Sequence, residues 1–434
     1  MSLYELSAMN GLPCDCGKTH TLPFQQVLTG NGIIQRLPQV LEYYHAQKPF
    51  LLSDKNTYQA AGKTICELLD NEHISYHNYV IEEESIEPDE KSVGSVIMHY
   101  EYSCDLIIAI GSGVINDIGK ILSAVAKLPY IIVATAPSMD GYASATSSMT
   151  RDGLKISLPS KSADVIIGDT DILKNAPLHM LKSGIGDMLA KYVSICEWRI
   201  SHVITGEYYC EKVATLVRLA LKRCVDNAEK LLQRDETAIE AVFEGLVICG
   251  AAMSYAGLSR PASGVEHYLS HIWDMRGVEF GTKVDLHGIQ CAVGTLIALK
   301  GYEKIRNIVP EREKALLHAQ TFDYHEWSLR LCEFLGKGAK SMIDTEQKEG
   351  KYNIEKHAKR LETILKRWDD ILQIIEEELP SCAKLEQLLD LLQMPKTTTE
   401  IGIDETIVEM SFMATKDIRD KYVLSRLAWD LGIL

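Results

Sequence analysis

From Pro49 onward, short apolar β-rich runs alternate with stretches of helical periodicity: PFLLS, a helix from about Asn56, HISYHNYVI, a second helix, DLIIAIG, a helix from Val114, and PYIIVAT. That alternation predicts a parallel sheet with crossover helices. The run over 105–110 is continuously apolar, as a strand buried on both faces requires, and is expected at the sheet's centre. Further strand-like segments fall at 155–158 and 163–168. Beyond about Lys174 the pattern changes, with helical periodicity over 214–232, 237–255, 288–305, 354–375 and 403–414. The expected architecture is an α/β domain with a Rossmann-like parallel sheet over 1–174 and an all-helical domain over 175–434. Pro177 opens the first helix of the latter.

The central strand ends in Gly111-Ser112-Gly113-Val114-Ile115-Asn116-Asp117, a glycine turn entering a helix. Amides at such a helix start point outward and can hold a pyrophosphate, which glycines allow to approach closely. The turn lacks the third glycine of the usual dinucleotide fingerprint, so an ordinary strand-to-helix turn is the rival reading. PYIIVAT runs into Ala136-Pro137-Ser138-Met139-Asp140-Gly141-Tyr142-Ala143-Ser144. Because ligands bind beyond the carboxyl ends of parallel strands, these two loops are expected to face one crevice. Asp54, closing LLSD, is of the type that bonds an adenosine ribose, and is also a common turn residue.

The formal charge of -15 argues against nucleic acid or an anionic membrane as partner, while leaving room for a local basic pocket. No apolar run approaches the roughly 18–20 residues needed to span a bilayer, and the first residues lack a signal pattern, so a cytoplasmic protein is expected. Eleven cysteines, an odd number, read as reduced thiols. CDCGKTH, from Cys14 to His20, resembles half of a metal knuckle. With three candidate ligands and no second half, it reads better as a turn between short strands.

Three of the thirteen histidines crowd into one stretch, His267 and His271 four apart on an expected helix and His287 in a His-Gly pair after a glycine-containing loop. A pair at that spacing shares a helix face and could ligate one ion, or simply form a satisfied face. Upstream, LKSGIGDMLAK sets Asp187 among apolar residues, where a carboxylate is costly unless paired or metal-bound. Asp187 could also form a surface ion pair with Lys191. Asp187, His267 and His287 together would make three ligands and leave an open position, as catalytic metal sites require.

GSGVINDIGK, TAPSMDGYAS, GIGDMLAK, RPASGVEHYLSH and HG resemble, in order and spacing, the sn-glycerol-1-phosphate dehydrogenases, relatives of metal-dependent polyol dehydrogenases and dehydroquinate synthase. The resemblance runs to about Lys304 and implies a dehydroquinate synthase-like fold. It implies reversible reduction of dihydroxyacetone phosphate by NADH or NADPH, with zinc or nickel on Asp187, His267 and His287. It places the dinucleotide on Gly113, Val114, Ile115, Asn116, Asp117, Thr135, Ala136, Pro137, Ser138 and Ser144, with Asp54 at the ribose. Asp140, Asp187 and His271 would contact substrate, so His271 passes from ligand to substrate partner. Lys155, Lys191 and Arg260 are candidates for the phosphate, and a homodimer is expected from the family.

Dehydroquinate synthase is the nearest rival, but its first ligand is a glutamate three residues before its lysine, and an asparagine stands where this chain has Gly264. Two further candidates are a glycerol or polyol dehydrogenase lacking phosphate recognition and a non-enzymatic dinucleotide sensor.

Overall fold

The computed structural model describes residues 3–434. The chain forms two compact units, Met1–Met188 with Thr215–Leu258, and Leu189–Ala214 with Ser259–Leu434.

Eight strands belong to the first unit: β1 (Gln26–Gly30), β2 (Pro49–Asp54), β3 (His77–Ile81), β4 (Leu106–Gly111), β5 (Tyr130–Ala134), β6 (Thr146–Arg151), β7 (Leu154–Pro159) and β8 (Val165–Asp169). Six form one sheet in the order β1-β8-β5-β4-β2-β3, every pairing parallel. β4 lies between β2 and β5 with every residue buried, as its unbroken apolar run requires. The segment 155–158 does form a strand, but in a separate antiparallel hairpin with β6. β1 and β6 carry no apolar run that would announce them. β6 reads TSSMTR, and only its inward Ser147 and Met149 are buried.

No strand follows Asp169 among the described residues. The helices that carry the chemistry are α1 (Gly113–Ala126), α2 (Leu178–Leu189), α3 (Lys191–Thr205), α4 (Glu236–Ala256), α5 (Val265–Phe280), α6 (His287–Arg306) and α7 (Leu424–Asp430). The packing units interleave along the chain. The reason is α4, which belongs to the first unit. Gly168 of β8 lets it approach, since a Cβ there would stand 2.1 Å from the Phe243 ring. By length and composition α4 could cross a membrane, although Glu240 and Glu244 punctuate its apolar sequence and leave no uninterrupted run. Its apolar window is 78% buried within the protein, as suits a core helix that is hydrophobic nearly all round. The periodic stretch 354–375 is two helices, Ile354–Lys366 and Trp368–Glu378, interrupted at Arg367.

In the second unit a buried polar network fixes the segment 416–422. Asp417 Oδ2 accepts from Trp327 Nε1 at 2.8 Å and from the Tyr352 hydroxyl at 2.7 Å, and its Oδ1 accepts from Arg426 Nη2 at 2.8 Å. Both members of this ion pair are buried, so removing one strands the other. Asp417→Ala is therefore expected to lower stability by about 3–5 kcal/mol. Denaturant unfolding measures this, and a midpoint equal to that of the parent would show the network to be dispensable.

Candidate active site

In the first unit, β4 delivers the glycine turn. A Cβ on Gly111 would stand 2.5 Å from Ile115 Cβ, so the strand can enter α1 this sharply only with glycine there. Ser112 is the N-cap of α1 in extended conformation, yet its side chain makes no capping bond. Its Oγ instead meets Ser138 Oγ at 2.5 Å, which joins the loop after β4 to the loop after β5. The two loops therefore do share one face of the sheet's carboxyl edge. Gly113 and Val114 are only partly buried, while Ile115 is buried in the core.

The Asn116 and Asp117 side chains turn inward. Asn116 Nδ2 donates to the Gly141 carbonyl at 3.2 Å, and its Oδ1 accepts from the Tyr130 hydroxyl at 3.0 Å. Asp117 Oδ2 accepts from the Ser148 amide at 3.2 Å. Buried Lys120, which closes the motif GSGVINDIGK, donates to the carbonyls of Gly141 at 2.6 Å and Thr146 at 3.0 Å. These side chains brace the turn carrying Asp140, so what this part of the helix can offer a dinucleotide is backbone. Ser144 Oγ bonds within its own turn, to Thr146 Oγ1 at 2.9 Å.

Thr135, Ala136, Pro137 and Ser138 are all buried. The Thr135 amide donates to the Gly111 carbonyl at 3.1 Å, and the Tyr142 hydroxyl donates to the Ala136 carbonyl at 2.5 Å. α2 presses on this loop from its own side. Ser183 Oγ donates to the Ser138 carbonyl at 2.9 Å, and a Cβ on Gly184 would stand 1.8 Å from the Pro137 carbonyl oxygen. On the same helix, fully buried Asp187 accepts from the Asp140 amide through Oδ2 at 2.9 Å. Asp54 Oδ1 caps the short helix after β2, accepting from the Thr57 amide at 2.8 Å. Lys155 sits on β7 opposite Thr150.

In the second unit α5 and α6 bring the three histidines together. The His267 and His287 rings lie 5.1 Å apart, and the His271 ring stacks on His287 at 5.7 Å. His267 Nδ1 donates to Glu266 Oε1 at 2.8 Å, and His287 Nδ1 shares a 2.9 Å hydrogen bond with Ser270 Oγ. Burial and the positive charge of Arg419 hold His271 well below the usual histidine range. Cys291, one turn beyond His287, places Sγ 3.6 Å from His287 Nε2. Burial works to raise this thiol, but the imidazoles of His267 and His287 outweigh it and leave it lower than usual. The i, i+4 spacing from His287 was the available signal for Cys291.

Two of the expected phosphate contacts are engaged in the fold. The Arg260 guanidinium donates through Nε to Glu207 Oε1 at 2.6 Å, through Nη1 to the Tyr422 carbonyl at 3.0 Å and through Nη2 to Ser201 Oγ at 3.3 Å. Lys191 is fully buried and donates to the Ala262 carbonyl at 3.1 Å. Both brace the segment ahead of α5. A different cation stands out. Lys421 is buried, its one hydrogen bond runs to the Ser263 carbonyl at 3.1 Å, and it has no salt-bridge partner among the described residues. Burial, then the charges of Arg260 and Arg419, hold its ammonium well below the usual lysine range. The charges of Arg419 and Lys421 both reach His271.

A family model described as iron-containing alcohol dehydrogenase matches residues 28–177. The solved glycerol dehydrogenase of Schizosaccharomyces pombe shares the fold, with a TM-score of 0.61 and 16% identity over 94% of this chain and 88% of that one. The architecture is thus that of the solved glycerol dehydrogenase. Among curated proteins, the glycerol-1-phosphate dehydrogenase [NAD(P)+] of Geobacillus thermodenitrificans is 29% identical over 92% of this chain and 91% of its own length. The protein of that name from Halalkalibacterium halodurans is 30% identical over 76% of this chain and 87% of its own. The chain belongs to the glycerol-1-phosphate dehydrogenase family, a family of oxidoreductases that use NAD(P) and a metal ion.

Gly184→Ala tests the close approach of α2 to the loop after β5. Because the atom in the way is backbone, the loop must shift, at a cost of about 1–3 kcal/mol in stability. The KM for the dinucleotide is expected to rise with it, and a variant matching the parent in both thermal unfolding and that KM would refute the constraint.

Proposed function

We propose that this chain catalyses the reversible reduction of dihydroxyacetone phosphate to sn-glycerol 1-phosphate, using NADH or NADPH and a divalent ion, zinc or nickel. The observation that carries the phosphate-specific reading is Lys421, a buried ammonium without a carboxylate partner whose charge reaches His271. A desolvated cation of this kind is costly until an anion arrives, and a substrate phosphate is such an anion.

Asp187, His267 and His287 are proposed to hold the ion. The donor set fits one. With Nδ1 of each imidazole engaged by Glu266 or Ser270, Nε2 is the ligating nitrogen, and outer-shell partners of this kind orient metal-bound histidines. Asp187 supplies a buried carboxylate. Once bound, such an ion polarises a carbonyl oxygen and stabilises the negative charge that develops on it. The amides at Gly113 and Val114 would hold the pyrophosphate, with the loop from Thr135 to Ser138 behind it and Asp54 at the ribose. A nicotinamide held there would supply the hydride that the carbonyl carbon requires. His271, kept from holding a permanent charge by its surroundings, moves the balancing proton to the substrate oxygen directly or through a water. Lys421, joined by Arg419, takes the phosphate role in place of Arg260 and Lys191. The proposed working form is a cytoplasmic homodimer.

The deciding assay is NADH and NADPH oxidation by metal-stripped protein given zinc or nickel, with dihydroxyacetone phosphate compared against dihydroxyacetone. A strong preference for the phosphorylated substrate is expected, and equal rates on both would sink the proposal. Asp187→Ala and His287→Ala should each release the ion, read by elemental analysis of the dialysed protein.

Lys421→Met separates phosphate recognition from the chemistry. A hydrogen bond to a charged group contributes about 1.5–3 kcal/mol, so the KM for dihydroxyacetone phosphate should rise roughly 10–100-fold. The KM for dihydroxyacetone should change far less, and an unchanged KM for the phosphate would remove Lys421 from this role.

A further inference from the structure

CDCGKTH folds as a tight turn in the first unit. The Cys14 amide donates to the Lys18 carbonyl and the Gly17 amide to the Cys14 carbonyl, both at 2.9 Å, while Gly17 takes a φ of 84° that favours glycine. Pro13 and Thr19 form an antiparallel bridge across the turn. Both thiols therefore lie on one short loop, and the chain returns to bring back His20, which is buried. The ligand atoms of Cys14, Cys16 and His20 all lie within 4.8 Å of one another.

Two features separate this cluster from an ordinary turn. First, Cys16 Sγ and His20 Nε2 are 3.5 Å apart. A tetrahedral zinc with Zn–S of about 2.3 Å and Zn–N of about 2.0–2.1 Å sets its sulfur and nitrogen about 3.6 Å apart. Second, His20 Nδ1 donates to the Tyr255 carbonyl at 3.1 Å. That bond fixes the tautomer and turns the Nε2 lone pair toward the thiols, as the outer-shell partner of a ligating histidine does. None of the eleven cysteines forms a disulfide, so both sulfurs retain the thiolate chemistry a metal needs.

We propose that Cys14, Cys16 and His20 bind a structural zinc ion, with a fourth donor from outside the turn. No step of the reductase chemistry uses these residues. The site acts as a staple on α4. The last carbonyls of a helix lack intrahelical partners, and here Lys18 Nζ donates to the Ala256 carbonyl at 2.8 Å while His20 takes that of Tyr255. The Tyr255 hydroxyl in turn donates to the Leu6 carbonyl at 3.0 Å. A zinc ion that orders the turn thereby closes the end of the core helix and ties down the chain's first described residues.

Elemental analysis of dialysed parent, Cys16→Ser and His20→Ala tests the site, because the ion proposed on Asp187, His267 and His287 is common to all three and cancels in the comparison. Each variant is expected to carry one equivalent less zinc per chain, and variants with the parent's zinc content would overturn the proposal. A second measurement needs no variant. Zinc-edge X-ray absorption of the zinc-containing parent should show a sulfur shell at about 2.3 Å. A spectrum with nitrogen and oxygen neighbours alone would overturn it equally.

Discussion

One carboxyl group organises the chemistry-bearing half of the second unit. Glu197 projects from α3 and accepts three hydrogen bonds, from the Val265 amide at 2.9 Å, the Leu424 amide at 2.8 Å and the Tyr302 hydroxyl at 3.3 Å. Val265 and Leu424 are the first residues of α5 and α7, so a single side chain serves two helix N-termini, where amides otherwise lack partners and a negative group is favoured. Tyr302 adds α6. The three helices that present the histidines and follow Lys421 are thereby referenced to one point. Burial and the neighbouring Glu266 carboxylate push Glu197 up to about 8, a measure of how much solvation it gives up.

The crowding of these two acids explains Gly264. A Cβ there would stand 2.6 Å from Glu197 Oε2 and 2.7 Å from Glu266 Oε2, so both carboxylates reach over a position without a side chain. Glu266 then uses Oε1 to accept from the Gly264 amide at 2.7 Å and to hold His267. An asparagine here, as in dehydroquinate synthase, would need both acids to move. Gly264 is therefore part of the support of the histidine.

The strands were legible wherever burial on both faces wrote an unbroken apolar run, as in β4, β5 and β8, and illegible where a hairpin buries one face with serine and methionine, as in β6. The helix bearing His267 was legible from spacing, but its support was not. Glu197 lies 68 residues from the amide it caps, and nothing local in CEWRI announces that partnership. The engagement of Arg260 was hidden for the same reason. A guanidinium in a glycine- and proline-rich loop looks available until the fold brings Glu207 and the Tyr422 carbonyl to fill its fork. Lys421 carried no motif at all. What singles it out is a missing partner, and absence of a partner has no sequence signature.

Glycine shows the same distinction between local and distant causes. GSG reads as a turn into a helix, and for Gly111 the cause is local, since Ile115 four residues on excludes a Cβ. Gly184 lies inside a helix, where glycine costs about 1 kcal/mol relative to alanine. That cost is offset by contact with the Pro137 carbonyl, which no side chain would permit. One turn along the same face, Asp187 reaches the Asp140 amide. α2 therefore holds the far end of the 135–140 loop with a carboxylate and its near end with the absence of a side chain. The position of that loop follows from the pair, so the backbone proposed to back the dinucleotide and the acid proposed to hold the ion are set by the same helix.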